Sequence, residues 1–174
     1  MVWRKVNEVL KIKNLKPTVK HGGGNVIIWG CILTTGVGEL IFIDGIMDKN
    51  KYLDILKTNL IKSASNLGIR DTFKFYQDND HKHKSRIVQE YLLYKCPKVL
   101  HPPPQSPDLN PIENLWDQLD RNIRTTPIKT ITELMERLLE EWRRIPHEYL
   151  KKIICNMPKR LYEVIKQKGQ PAKY

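Results

Sequence analysis

The stretch from Phe73 to Pro102 constrains the fold more than any other. "FKFYQ" alternates as a half-buried strand does, "KSRIVQEYLLYKC" places Ile87, Val88, Tyr91 and Leu92 on one helical face, and "KVLH" is a short strand cut off by Pro102. A strand, a helix and a strand in that order make a β-α-β unit, so the two strands form a parallel pair. The rest of the chain has to be arranged around it.

Upstream, "HGGGNVIIWGCILTTGVGELIFIDG" reads as two β-branched and aromatic runs joined by "TTGVG", which predicts an antiparallel hairpin. From Asp48 the period changes: Tyr52, Ile55, Leu56 and Leu60 recur at helical spacing, and Gly68 closes the segment. Downstream of Pro111 everything reads as helix. Ile112, Leu115, Trp116, Leu119 and Ile123 form one apolar stripe, and Leu134, Leu138, Trp142 and Ile145 form another. Two further helical segments are expected around Leu150 to Met157 and Leu161 to Lys168, with Pro158 between them and Gly169 after. Trp29, Trp116 and Trp142 are expected in the core. The order predicts an α/β fold, a mixed sheet flanked by helices with a helical C-terminal region, rather than a bundle.

At 174 residues the chain fits one domain over 1–174, and with 40% hydrophobic and 28% charged residues it has the makeup of a soluble globular protein. Its longest apolar run, "VIIWGCIL", falls far short of the ~18 residues that span a bilayer, and "MVWRKVNEVL" has no signal-peptide core; an intracellular protein is expected. Cys31, Cys96 and Cys155 are widely separated and in no CxxC pair, which argues against a disulfide framework or a zinc finger. A net charge of +11 points to a polyanionic partner, nucleic acid or an anionic membrane surface. Both ends of the chain are basic, and no lipidation motif or strongly basic amphipathic helix supports the membrane alternative.

Two acids carry the candidate chemistry. Asp78 follows the strand "FKFYQ", at the end of a sheet where loops display functional side chains. Glu113 lies in the first turn of the helix after "PPPQSPDLNP", which the β-α-β order brings back over the same sheet edge. Two hard oxygen ligands meeting there suit Mg²⁺ or Mn²⁺ shared with phosphate oxygens. Each residue also has an ordinary explanation. "QDND" is turn chemistry, and Asn110, Pro111 and Glu113 stand at N-cap, N1 and N3, so Glu113 is equally placed to reach back to the Asn110 backbone in a capping box. His81 and His83 lack partners at zinc-ligand spacing and are expected to be solvated loop histidines. "HGGG" at His21 to Gly24 is similar to an esterase oxyanion loop, but no G-x-S-x-G exists in the chain, so a hydrolase is excluded.

Taken together, "VWRK", "TVKHGGGNVIIWGC", "YQDNDHKH" and "PPPQSPDLNPIENLW" resemble the catalytic domain of the mariner superfamily of cut-and-paste DNA transposases, in its Tc branch. That family carries an Asp, Asp, Glu triad on a ribonuclease H-like fold with 34 residues between the second Asp and the Glu, and here positions 79 to 112 separate Asp78 from Glu113. Taking Asp80 instead leaves 32. The resemblance implies Asp78 and Glu113 as catalytic metal ligands, Mg²⁺ or Mn²⁺ as cofactor, transposon ends and target DNA as partners, nuclear residence, and a homo-oligomer as one assembly left open. The family's first Asp, on the central strand of the sheet, and its helix-turn-helix region lie upstream of "VWR", so the chain is expected to be incomplete at its N-terminus and inactive, with a non-catalytic DNA-binding or assembly module or a non-functional transposon relic as the alternatives. Asp44, at the end of the second hairpin strand, does not match the first Asp. Without the central strand, the hairpin and "FKFYQ" lose a shared neighbour, and residues 4–20, with weak alternation and a proline, are not expected to replace it.

Overall fold

The computed structural model describes residues 26–103 and 106–167. The "VWRK" and "HGGG" motifs, residues 4–20 and the terminal "GQPAKY" lie outside the described residues.

Strands β1 (Ile27–Leu33) and β2 (Gly36–Ile43) form the antiparallel hairpin. Its turn is tighter than expected. Only Thr34 and Thr35 make the connection; Gly36, Val37 and Gly38 belong to β2, with Gly36 paired to Leu33 and Val37 to Ile32. The glycines are there for close packing rather than for the turn. A Cβ on Gly38 would run into Cys31 Sγ and sit 2.9 Å from Ser63 Oγ. A register shift between Gly30 and Ile32 accommodates the crowding.

The alternation of the hairpin feeds two cores. Ile27, Trp29, Cys31, Ile41 and Ile43 join one cluster, with helix α1 (Lys49–Asn66), helix α2 (Arg86–Lys95) and strand β3 (Lys74–Tyr76). Ile28, Ile32, Leu40 and Phe42 join the other, with helices α3 (Pro111–Ile123), α4 (Ile131–Arg143) and α5 (His147–Cys155). Both faces of the hairpin are therefore covered, which is why its runs are more apolar than simple in-out alternation allows. Trp142 on α4 stacks on Trp116 of α3, ring centroids 5.4 Å apart, and its indole N–H donates to the Gly38 carbonyl at 2.9 Å.

Helix α1 starts where Asp48 accepts a hydrogen bond from the Lys51 backbone N–H and ends before Gly68, whose φ of 71° favours glycine. Tyr52, Ile55, Leu56 and Leu60 are buried on it, as their spacing predicts. Strand β3 pairs in parallel with β4 (Lys98–Leu100), completing the β-α-β unit around α2. At the C-terminus, α5 and α6 (Met157–Lys166) differ from expectation: Pro158 sits in the first turn of α6 instead of separating two helices. A first-turn N–H has no intrahelical acceptor, so proline there sacrifices no bond.

Among the described residues the strands form two separate two-stranded sheets, β1-β2 and β3-β4. Yet Trp29 and Ile43 of one and Phe73 and Phe75 beside or within the other share one buried cluster. Among the described residues, the hairpin and β3 thus face a common core without hydrogen bonding to each other.

Candidate active site

The loop leaving the C-terminal end of β3 carries Asp78. One oxygen, Oδ1, accepts the backbone N–H of Asp80 at 3.1 Å, which is the turn chemistry of the sequence reading, and also meets His83 Nδ1 at 2.5 Å. The other oxygen accepts from no described residue. Because an ionised carboxylate only accepts, the imidazole proton between the two groups is on Nδ1. The hydrogen bond from His83 holds the Asp78 carboxyl below the usual range against the opposing effect of its partial burial. Asp80 is not a competitor for the role: its carboxylate caps its own turn, accepting from the Lys82 backbone and ammonium at 2.9 and 3.1 Å.

Glu113 lies in the first turn of α3, after a short 3₁₀ turn at Pro107–Leu109. It makes no capping box. The Asn110 backbone N–H is already donated to the Pro107 carbonyl at 2.9 Å, and Asn110 instead offers its side-chain amide to Glu113 Oε1 at 3.3 Å. The Glu113 carboxyl is raised, first by its partial burial and next by the negative charge of Asp78. The two acids, with 34 residues between them, thus feel each other's charge across the loops that follow β3 and β4. Tyr76, the last residue of β3, ties these segments together by donating its hydroxyl proton to the Leu109 carbonyl at 2.6 Å. Asn79 does the same from the other side, donating to the carbonyls of Pro102 and Pro103, each at 2.9 Å.

Beside Asp78 the surface opens into a cavity of about 260 Å³ lined by Asn79, Lys84, Gln89, His101 and Pro102. Carboxylate oxygens are the hard donors that Mg²⁺ or Mn²⁺ takes, so Asp78 and Glu113 suit such an ion by their chemistry. Among the described residues no three His, Cys, Asp or Glu side chains cluster to hold a metal ion. Asp44 is exposed at the end of β2.

The histidines divide. His81 is solvated, its side chain 90% exposed, but His83 is 14% exposed, and this corrects the expectation of two loop histidines in water. Its ring stacks on Tyr52 of α1 at 4.0 Å between centroids, and its carbonyl accepts from the side-chain amides of Gln77 (3.3 Å) and Gln89 (2.8 Å). Tyr52 in turn donates to Gln77 Oε1 at 2.6 Å. Nothing periodic in the sequence marks these residues as a group, since they come from a helix, a strand end, a turn and a second helix. The one local signal is a histidine five residues beyond the aspartate.

The chain matches the family described as DDE superfamily endonuclease over residues 15–135. It is 40% identical over 157 residues to the Tcb2 transposase of a transposable element in Caenorhabditis briggsae, covering 90% of this chain and 57% of that protein. It is likewise 40% identical over 159 residues to the Tc1 transposase of Caenorhabditis elegans, covering 91% of this chain and 58% of the relative. The chain therefore spans little more than half the length of these proteins. In structure it is similar to the Mos1 transposase catalytic domain determined with raltegravir and Mg, at a TM-score of 0.76 and 18% identity over 85% of this chain and 77% of that one. It is similar also to the Mos1 paired-end complex with the left transposon end, at a TM-score of 0.78 and 16% identity over 98% and 52%. These likenesses establish an α/β, ribonuclease H-like fold.

Proposed function

We infer a function from one premise: the chain belongs to the DDE superfamily endonuclease family, with transposases of the Tc1/mariner type among its relatives. It is the catalytic domain of such a transposase, acting on the phosphodiester backbone of DNA, with Asp78 and Glu113 as metal ligands. What supports this is electrostatic: after its partial burial, the charge of Asp78 is the next cause that raises the Glu113 carboxyl. Mg²⁺ or Mn²⁺ bound there would supply an activated attacking hydroxyl and a stabilised leaving oxygen. The chain's own contribution is the Asp78 oxygen that accepts from no described residue, at the edge of the cavity, and the first-turn carboxylate of Glu113. Lys84, at the edge of the adjoining cavity, offers a backbone phosphate an ammonium partner.

A net charge of +11 supports DNA as the partner, and residence in the nucleus follows from that substrate. Two measurements test the reading. Mn²⁺ raises the melting temperature of the wild type and not that of Asp78→Asn or Glu113→Gln, since a ligand of the native state alone must stabilise it. DNA binding with no Mn²⁺ response in any variant would favour a non-catalytic DNA-binding module instead. Mn²⁺-dependent DNA cleavage that disappears in Asp78→Ala would favour the catalytic reading over that module.

A further inference from the structure

The region around Asp78 contains more fixed geometry than a turn aspartate needs. Its side chain is half exposed and follows a strand, so the carboxylate is free to rotate unless something holds it. His83 does: Nδ1 takes Oδ1 at 2.5 Å and leaves Oδ2 without a protein donor among the described residues. The ring is itself fixed from three directions. Tyr52 stacks on its face, and the carboxamides of Gln77 and Gln89 fasten its backbone carbonyl to the end of β3 and to α2. Tyr52 is 2% exposed and bonded to Gln77, so the platform is part of the core that carries α1. Among the described residues, the buried Nε2 of this imidazole has no hydrogen-bond partner.

We propose that His83 is a positioning residue, holding the Asp78 carboxylate so that one oxygen is occupied by imidazole and the other is presented to a divalent cation. This rests on the reading of Asp78 and Glu113 as a metal-binding pair. Outer hydrogen bonds to metal ligands fix their orientation, and losing one typically weakens metal affinity about 10- to 100-fold.

Two substitutions separate the functions of the ring. His83→Phe keeps an aromatic face against Tyr52 and removes the donor, whereas His83→Asn keeps a donor near the position of Nδ1 and removes the stack. Mn²⁺ affinity, read from the electron paramagnetic resonance of the free ion, is expected to fall about 10-fold or more in His83→Phe and to recover substantially in His83→Asn. Melting temperatures without metal are expected to rank the other way, with His83→Asn the less stable. In the metal-free wild type, a slowly exchanging imidazole Nδ1 proton should be visible by nuclear magnetic resonance and should be lost in Asp78→Ala. Wild-type affinity in His83→Phe, or a loss in His83→Asn as large as in His83→Phe, would overturn the proposal while leaving the carboxylate pair intact. Failure of the wild type to bind Mn²⁺ in an Asp78-dependent way would overturn the carboxylate-pair reading, and this role with it.

Discussion

Asp78 and Glu113 act on the stability of the fold with opposite signs. Glu113 is raised by burial and by Asp78, so between the unfolded carboxyl value and the higher folded one the native state holds its proton more tightly, and stability falls as pH rises through that window. Glu113→Gln should therefore melt slightly higher than the wild type at pH 7 without metal, by about a degree given the exposure of the group, while losing the Mn²⁺ response. A lower melting point would show that the carboxylate is a structural cap after all. Asp78 has the opposite sign. Its folded value is depressed, so its contribution is present above the unfolded value and is lost as pH falls through the folded one. The cysteines offer a simpler check. Burial pushes the Cys96 thiol up to about 11, whereas Cys155 is exposed. At pH 8 only about one Cys96 in a thousand is thiolate, so a thiol reagent should label Cys155 quickly and Cys96 only with unfolding.

At the level of elements, the hairpin carries the most constraint per residue. Gly38→Ala would force a methyl group against Cys31 and Ser63, at a cost of about 1–3 kcal/mol in denaturant unfolding; a neutral result would mean the β2 backbone shifts freely there. Helix α4 begins at Thr130, whose hydroxyl accepts the Glu133 N–H at 3.1 Å, and Thr130→Ala should cost about 1 kcal/mol. Periodicity made the helices legible. Leu115, Leu119 and Ile123, and then Leu138 and Trp142, are buried on the faces their spacing marks. The turn was misread because glycines in "TTGVG" carry the same local signal whether they serve a reversal or a close approach. Only the neighbouring Cys31 and Ser63 distinguish the two. Pro158 was ambiguous in the same manner, a breaker inside a helix and a natural starter in its first turn.

For the molecule as a whole, the two cores meet through one hairpin, and that predicts cooperative behaviour. Leu56→Ala in one core and Leu115→Ala in the other, both fully buried, should each lower the same single unfolding transition by about 2–5 kcal/mol. Two resolved transitions would show the clusters to be independent. Charge acts at this scale too. With +11 net, binding to duplex DNA should weaken steeply and linearly on a log-log plot against salt; affinity insensitive to salt would rule out phosphate contacts as its source.

The residues alone determined the order of strands and helices and the parallel pair around α2, because periodicity, spacing and residue chemistry are local or additive along the chain. Folding in three dimensions decided the rest. It removed the capping box from Glu113 by committing the Asn110 N–H to Pro107, and it took His83 out of water by setting it on Tyr52, a residue 31 positions earlier. Contacts between residues so far apart depend on how helices and loops close over the sheet ends, and no pattern of neighbours in the chain encodes that closure.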